Sequence, residues 1–586
     1  MNYNLNKLSQ PQQKTSTYAA LKSLLQLIAH ERKNLLLALV AILVNSTLNL
    51  LGPFLIGHTI DTYVQHKDYH GVLVFSGILL AMYLVALFTS YNQTQLMGGV
   101  GQRMLFTLRN AIFNKLQVLP VAFFNANKAG DLISRVNNDT DKLNSFFSQS
   151  LMQFIGSIVT MVGAGIFLLL INIKLGAAAL IPAVFIFLFT RIISPWVKGK
   201  NAVNLKSVGG MSAEIQESLN NFKVIIAFNR RDYFRKRFDE ANRQNYTTAV
   251  SAGLANNVFL PVYSLFSSIA QLIVLVYGIY LIAAGEFSIG LLVSYLAYAT
   301  NFYNPLRQLA TLWTSFQVAL AGWDRISQIL SLNTDLITVE NTAAKSAAAL
   351  VEFRNVSFGY GDGKEILHHV NLQLDRGKTY AFVVPTGGGK TTTASLIARL
   401  YDPTKGTVLL DGKDIRTYQP AERTRKVGFI LQEPFLFTGT VKDNILYGNE
   451  QYQSYTNEQL EAVIKKAGLS ELLNIFESGL ETKVSSGGDS ISLGQKQLIA
   501  FMRAVLRNPE VLILDEATAN IDTITEQLLD EILNKLPETT TRIIIAHRLN
   551  TIQNADEIFF VNAGEIIQAG SFEDAVNKLM KGHRVS

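Results

Sequence analysis

"YAFVVPTGGGKTTTASL", residues 380–396, runs from a short apolar strand pattern into three consecutive glycines, a lysine and threonines, and then into a helix pattern. Gly387, Gly388 and Gly389 let successive backbone N–H groups turn towards one anion, and the N-terminus of the helix that follows adds its dipole. Lys390 is placed for the β- and γ-phosphates of a nucleotide, and Thr391 to offer its hydroxyl to Mg²⁺. Thr386 and Thr392 flank this set as further nucleotide contacts. The usual spacing is G-x-x-x-x-G-K-[ST], and Val384 stands where its first glycine belongs. If that position needs a positive φ, valine is strongly disfavoured. If it is the last residue of the strand, a β-branched side chain suits it. The later glycines and Lys390 are all present, so the loop is expected to bind nucleotide.

A second stretch, "VLILDEATANID" at 511–522, is an apolar run ending in Asp515 and Glu516. A buried strand with that ending sets Asp515 where Mg²⁺ needs an oxygen. Glu516, next along, is placed to polarise an attacking water as a general base.

The rest of the chain is of a different kind. Of 586 residues, 48% are hydrophobic and only 17% charged, and the apolar residues are unevenly spread. No charge occurs at 34–60, 71–102, 143–173, 175–190, 244–285 or 287–306. A membrane-crossing helix needs about 20 mostly apolar residues, and a charge at its centre is costly. Six spans fit, near 35–57, 72–95, 150–172, 175–197, 252–283 and 287–310. Lys and Arg crowd the segments before the first span, after the second and between the fourth and fifth. The positive-inside rule then puts both termini and the two long loops in the cytoplasm, in a multi-pass protein of the cell membrane. The same residues account for the formal net charge of +7, so no nucleic-acid partner is called for. Membrane lipid is the expected surround. Residues 18–29 read as an amphipathic helix on the inner surface, with no cleavable signal pattern before it. The chain has no cysteine, which excludes disulfides, thiolate metal sites and cysteine nucleophiles.

Residues 96–143 and 198–245 carry apolar residues at helical spacing among charges. Spans two to five are expected to continue as helices into the cytoplasm, with turns at 119–132 and 218–234. The domain reading is an interfacial segment at 1–33, a six-helix membrane domain at 34–325, a small, polar linker at 326–349 and an α/β domain at 350–586. The polar groups Asn45, Asn49, Gln271 and Arg307 lie in or near spans, where such residues tend to face the bundle interior. Arg307 is a candidate contact for an anionic cargo or headgroup, and snorkelling to the interface is the competing reading.

In order, "FGY", "PTGGGKTT", "LQEPFLF", "ISLGQKQL", "LILDEATANID" and "IIIAHRL" resemble the nucleotide-binding domain of an ABC transporter. With six preceding spans, nearly the whole chain resembles an ABC exporter half-transporter: an α-helical membrane domain fused to an α/β phosphate-loop domain. The resemblance implies ATP hydrolysis coupled to export of an amphiphilic small molecule, drug or lipid, with ATP and Mg²⁺ as cofactors. It implies that Tyr360 stacks on adenine, that Gln432 contacts Mg²⁺ and the water, and that His547 holds the γ-phosphate. Asp522 would belong to a loop reaching across a dimer interface. Turns near 123–128 and 221–227 would be coupling helices.

In this family the signature, LSGGQ, serves the ATP held by the other subunit. Here it reads "ISLGQ": Ser492, Gly494 and Gln495 match, and Leu493 replaces a glycine. An intact base beside an altered signature resembles the catalytic half of a heterodimeric exporter, whose second subunit brings a regular signature. A homodimeric exporter or lipid flippase that tolerates Leu493 is the alternative. An ATP-gated channel or regulatory scaffold is a third, and has little use for Glu516.

Overall fold

The computed structural model describes residues 3–5, 31–333, 336, 338–339, 349–361, 365–383, 389–485, 490–515, 523–546, 554–562, 564–570 and 573. The amphipathic stretch expected at 18–29 lies outside them. The chain divides into two compact units: one of Met1–Gln10, Leu116–Ala129 and Leu332–Ser586, the other of Pro11–Lys115 and Gly130–Ser331.

The helical unit follows from the charge-free runs. Helix α1 spans Arg32–Thr59 and α2 spans Tyr69–Gln117. The short α3, Val121–Ala126, belongs to the other unit. The third crossing, Ala129–Ile171, contains two π-helical turns, Arg135–Asp139 and Phe146–Ser150, ahead of α4, Leu151–Ile171. Helix α5 runs over Ile173–Asn220, capped by the Asn172 side chain, which accepts from the N–H groups of Lys174 and Leu175. The short α6, Phe222–Ala227, then turns the chain into α7, Arg231–Asn257, and α8, Phe259–Ala283. Helix α9 closes the unit at Ile289–Ser331. The membrane-crossing helices thus continue far beyond the apolar windows, as their helical spacing in the charged loops implies.

Among the described residues, five helical stretches are long and apolar enough to cross a membrane. The sixth, α9, is just as continuous but more polar, and three of its tyrosines face inward while Asn304, Arg307 and Gln308 are exposed. Tyr295, Tyr298 and Tyr303 are buried, and each donates its hydroxyl to a main-chain carbonyl. Tyr298 reaches Leu50 O at 2.8 Å, Tyr303 reaches Ala179 O at 2.7 Å and Tyr295 reaches Asn172 O at 2.7 Å. Where no water is available, a buried hydroxyl must find such a partner. Part-buried Gln271 similarly donates to Thr300 at 3.2 Å, whereas the bond from Asn49 to Asn45, 2.8 Å along α1, is exposed. Large apolar side chains on α2, such as Leu80, Leu84, Leu87 and Phe88, stay exposed, which suits lipid as solvent.

The other unit is α/β. Among the described residues its main sheet is built from β3 Thr379–Val383, β6 Val427–Ile430, β9 Val511–Asp515, β10 Thr541–Ala546, β11 Glu557–Asn562 and β12 Glu565–Gly570. They lie in the order β12-β11-β3-β10-β9-β6. All neighbours are parallel except β11 with β12. Both β3 and β9 are buried along their whole length, which explains their unbroken apolar patterns. A four-stranded antiparallel sheet of β1 (Val351–Gly359), β2 (Glu365–Leu374), β4 (Lys405–Leu410) and β5 (Lys413–Asp414) packs its apolar face into a core with Tyr380, Phe382, Val511 and Ile543. The short β7 (Gly439–Thr440) pairs with β8 (Lys483–Val484). A separate core gathers Leu460, Ile464, Leu472, Leu498, Phe501 and Leu529 around the mostly helical segment 441–505.

Candidate functional site

The sheet register assembles the site. Val383 pairs with Ala546, Ile545 with Asp515, and Leu514 with Ile430. The carboxyl ends of β3, β10, β9 and β6 therefore lie along one edge, where open α/β sheets bind ligands. Neighbouring strands are about 4.8 Å apart, so the ends of β3 and β9 lie about 10 Å apart. The phosphate loop leaves β3, Glu516 follows β9, His547 follows β10, and Gln432 comes two residues after β6. Segments far apart in sequence thus converge. Val384, Thr386, Gly387, Gly388, Glu516, Asp522 and His547 themselves lie outside the described residues.

Helix α10, Lys390–Ile397, begins at Gly389, whose φ is +104°. That conformation favours glycine, and a Cβ there would lie 3.0 Å from Leu367 Cδ2. Gly389→Ala is expected to cost roughly 1–3 kcal/mol through backbone strain, read as a drop in thermal midpoint without nucleotide. Lys390 and Thr392 are buried, whereas Thr391 is exposed at the first turn. Thr393 secures the start of the helix through its N–H and hydroxyl, both donating to Gly389 O, at 3.0 and 3.1 Å. Asp515 is buried at the end of β9.

Tyr360 follows β1, is 40% exposed, and shares a hydrogen bond between its hydroxyl and Thr392 Oγ1 at 3.1 Å. The tyrosine expected at the base is thereby tied to the helix expected at the phosphates. Its ring meets Phe358 edge-on at 4.9 Å and Tyr401 at 5.0 Å. Tyr401 was not among the sequence candidates. It sits two residues after Arg399, whose guanidinium is 2.9 Å from Asp402, so the "RLYDP" run was its only local signal.

Ser492, Leu493, Gly494 and Gln495 form the start of α11, Leu493–Val505. Ser492 caps it, accepting from Gln495 N–H at 3.2 Å, while Gln495 Oε1 accepts from Ser492 N–H at 2.9 Å. This capping box makes Leu493 the first helical residue, a position with no need for positive φ. Leucine therefore fits the backbone here, and any effect it has must come from its side chain. Farther along α11, buried Gln497 donates to Gln432 O at 3.5 Å, so the signature helix touches the segment after β6. Arg503 holds that segment too, donating to Phe435 O at 3.2 Å and to Asn444 O at 2.8 Å.

Residues 35–306 match the family model of the ABC transporter transmembrane region, and residues 367–519 match that of the ABC transporter. A Bacillus subtilis (strain 168) relative, "Uncharacterized ABC transporter ATP-binding protein YfiC", is 33% identical over 569 residues, 96% of this chain and 93% of the relative. The chain is an ABC transporter. A second relative, the "Fatty acid ABC transporter ATP-binding/permease protein" of Mycobacterium bovis, is 32% identical across 86% of this transporter and 80% of its own length. A bacterial Atm1-family ABC exporter solved with ATP bound shares the fold, with a TM-score of 0.77 at 24% identity over 95% of this chain and 98% of that one. This transporter is accordingly a multi-pass membrane protein of the exporter half-transporter type that hydrolyses ATP to drive transport.

Proposed function

We propose that this transporter moves an acyl-bearing amphiphile outward across the cell membrane, with its nucleotide-binding unit in the cytoplasm, as the catalytic half of a heterodimer. The carrying observation is the common edge formed by the ends of β3, β6, β9 and β10. On that edge Lys390 would contact the β- and γ-phosphates, with Thr386, Gly387, Gly388, Gly389 and Thr392 around the triphosphate and Tyr360 on the base. Thr391, Gln432 and Asp515 offer hydroxyl, amide and carboxylate oxygens, the hard donors that Mg²⁺ takes. Bound there, Mg²⁺ would neutralise charge on the phosphate oxygens. Glu516 would take a proton from water as its oxygen attacks the γ-phosphorus and the bond to the β-phosphate oxygen breaks, leaving ADP and phosphate. His547 would hold the γ-phosphate during that step.

Dimerisation is supported by two apolar surfaces that water should not see. Helix α6 exposes Phe222, Val224 and Ile226, and the α/β unit exposes Leu431, Phe435, Phe437 and Tyr447. Such patches mark interaction sites. The heterodimer reading rests on Leu493: its side chain stands at the start of the signature helix, where a second subunit's γ-phosphate would approach. The acyl cargo follows the fatty acid transporter relative. In inside-out vesicles holding the assembled transporter, a fluorescent long-chain fatty acid should accumulate only with ATP and Mg²⁺. Equal accumulation with a nonhydrolysable analogue would refute coupled export of this cargo.

A further inference from the structure

Tyr3 and Leu5 are buried, at 4% and 0% exposure. Ordering such a segment costs conformational entropy, so something must hold it. The holder is Asn127, just past α3. Its Nδ2 donates to Tyr3 O at 2.8 Å, and its Oδ1 accepts from Leu5 N–H at 3.0 Å. The same amide donates to Phe123 O at 2.7 Å. The Tyr3 ring meets buried Phe123 at 6.4 Å and 87°, and its hydroxyl donates to Asn333 O at 3.2 Å. Residues 3–5 therefore strap α3 to the segment that follows α9.

From α3 the contacts continue to the nucleotide site. Asn125 Nδ2 donates to the Tyr401 hydroxyl at 2.7 Å. Burial holds that phenol above its usual range, against the opposing pull of the Asn125 bond, so it stays protonated at neutral pH. Tyr401 packs edge-on against Tyr360, and Tyr360 is bonded to Thr392. Tyr3, Asn125, Phe358, Tyr360 and Tyr401 all line one cavity of about 700 Å³. We infer that Tyr3, Asn125 and Tyr401 are positioning residues for Tyr360, so that the strap and α3 set how firmly the base of ATP is held. This rests on the reading that Tyr360 stacks on the base.

The test titrates the full chain in nanodiscs with ATP and, separately, with inorganic tripolyphosphate, both with Mg²⁺. Base–aromatic stacking is worth about tenfold or more in affinity, so Tyr360→Ala should weaken ATP by roughly that factor and leave tripolyphosphate unchanged. Tyr3→Ala and Tyr401→Ala should weaken ATP selectively, by roughly a third to all of that effect on a logarithmic scale. Tyr3→Phe, which keeps the ring against Phe123, should stay near wild type. If Tyr360→Ala is selective but the other two leave ATP binding unchanged, or weaken both ligands equally, the inference is wrong and the base reading survives. If Tyr360→Ala has no selective effect, both fall.

Discussion

Glu516→Gln should lower ATP turnover by roughly 10²–10⁴-fold, the usual contribution of a positioned general base, while ATP binding is retained. The strand before it explains the size of the effect. β9 is buried throughout and pairs on both sides with parallel strands, so the backbone leading into position 516 is fixed from β6 and β10 at once. On the proposed reading of Glu516 as the general base, a carboxylate following so rigid an element would be pre-organised for one water. Glutamine keeps the shape and loses the basicity. Single-turnover kinetics beside equilibrium ATP binding separate the two: a fall in binding equal to the fall in turnover would make Glu516 a structural residue.

The second large effect is expected in the helical unit. Asp139 is fully buried in a π-helical turn, 3.1 Å from the Arg325 guanidinium of α9 and 2.9 Å from Lys142 Nζ. Arg325 also pairs with Asp131, which Arg135 approaches at 3.0 Å, and Arg135 donates to Arg325 O at 2.7 Å. Arg325→Met leaves a buried carboxylate with one partly exposed lysine, and breaking such a pair costs roughly 3–5 kcal/mol. The thermal midpoint of the purified protein should fall accordingly. Adding Asp139→Asn should restore part of the loss, because the uncompensated charge goes with it. A double variant no more stable than Arg325→Met would mean that packing, not charge, holds α9 there.

The helical unit was legible because lipid tolerates few charges, and the charge-free runs coincide with helices α1, α2, α4, α5, α8 and α9. The sixth span reads less clearly by hydropathy because Tyr295, Tyr298 and Tyr303 spend their hydroxyls on neighbouring helices, a pairing that no local pattern reveals. The π-helical turns carry no sequence mark at all. In the α/β unit, Lys390, Thr391, Thr392, Gln432 and Asp515 could be named from motifs because strand, loop and helix follow one another in the chain. Tyr401 and Asn125 could not, since their hydrogen bond spans 276 positions. Leu493 was legible as a departure, but its ease at the first turn of α11 only emerged with the Ser492–Gln495 cap.

The pairing of this transporter is settled most directly by ATPase activity in lipid nanodiscs, measured on the chain alone and after co-expression with a second half-transporter carrying a regular LSGGQ signature. The expected result is negligible turnover alone and brisk turnover in the pair, abolished by Glu516→Gln in this chain. Brisk, Glu516-dependent turnover by the chain alone would contradict it, and would show that a homodimer works with Leu493 in both signatures.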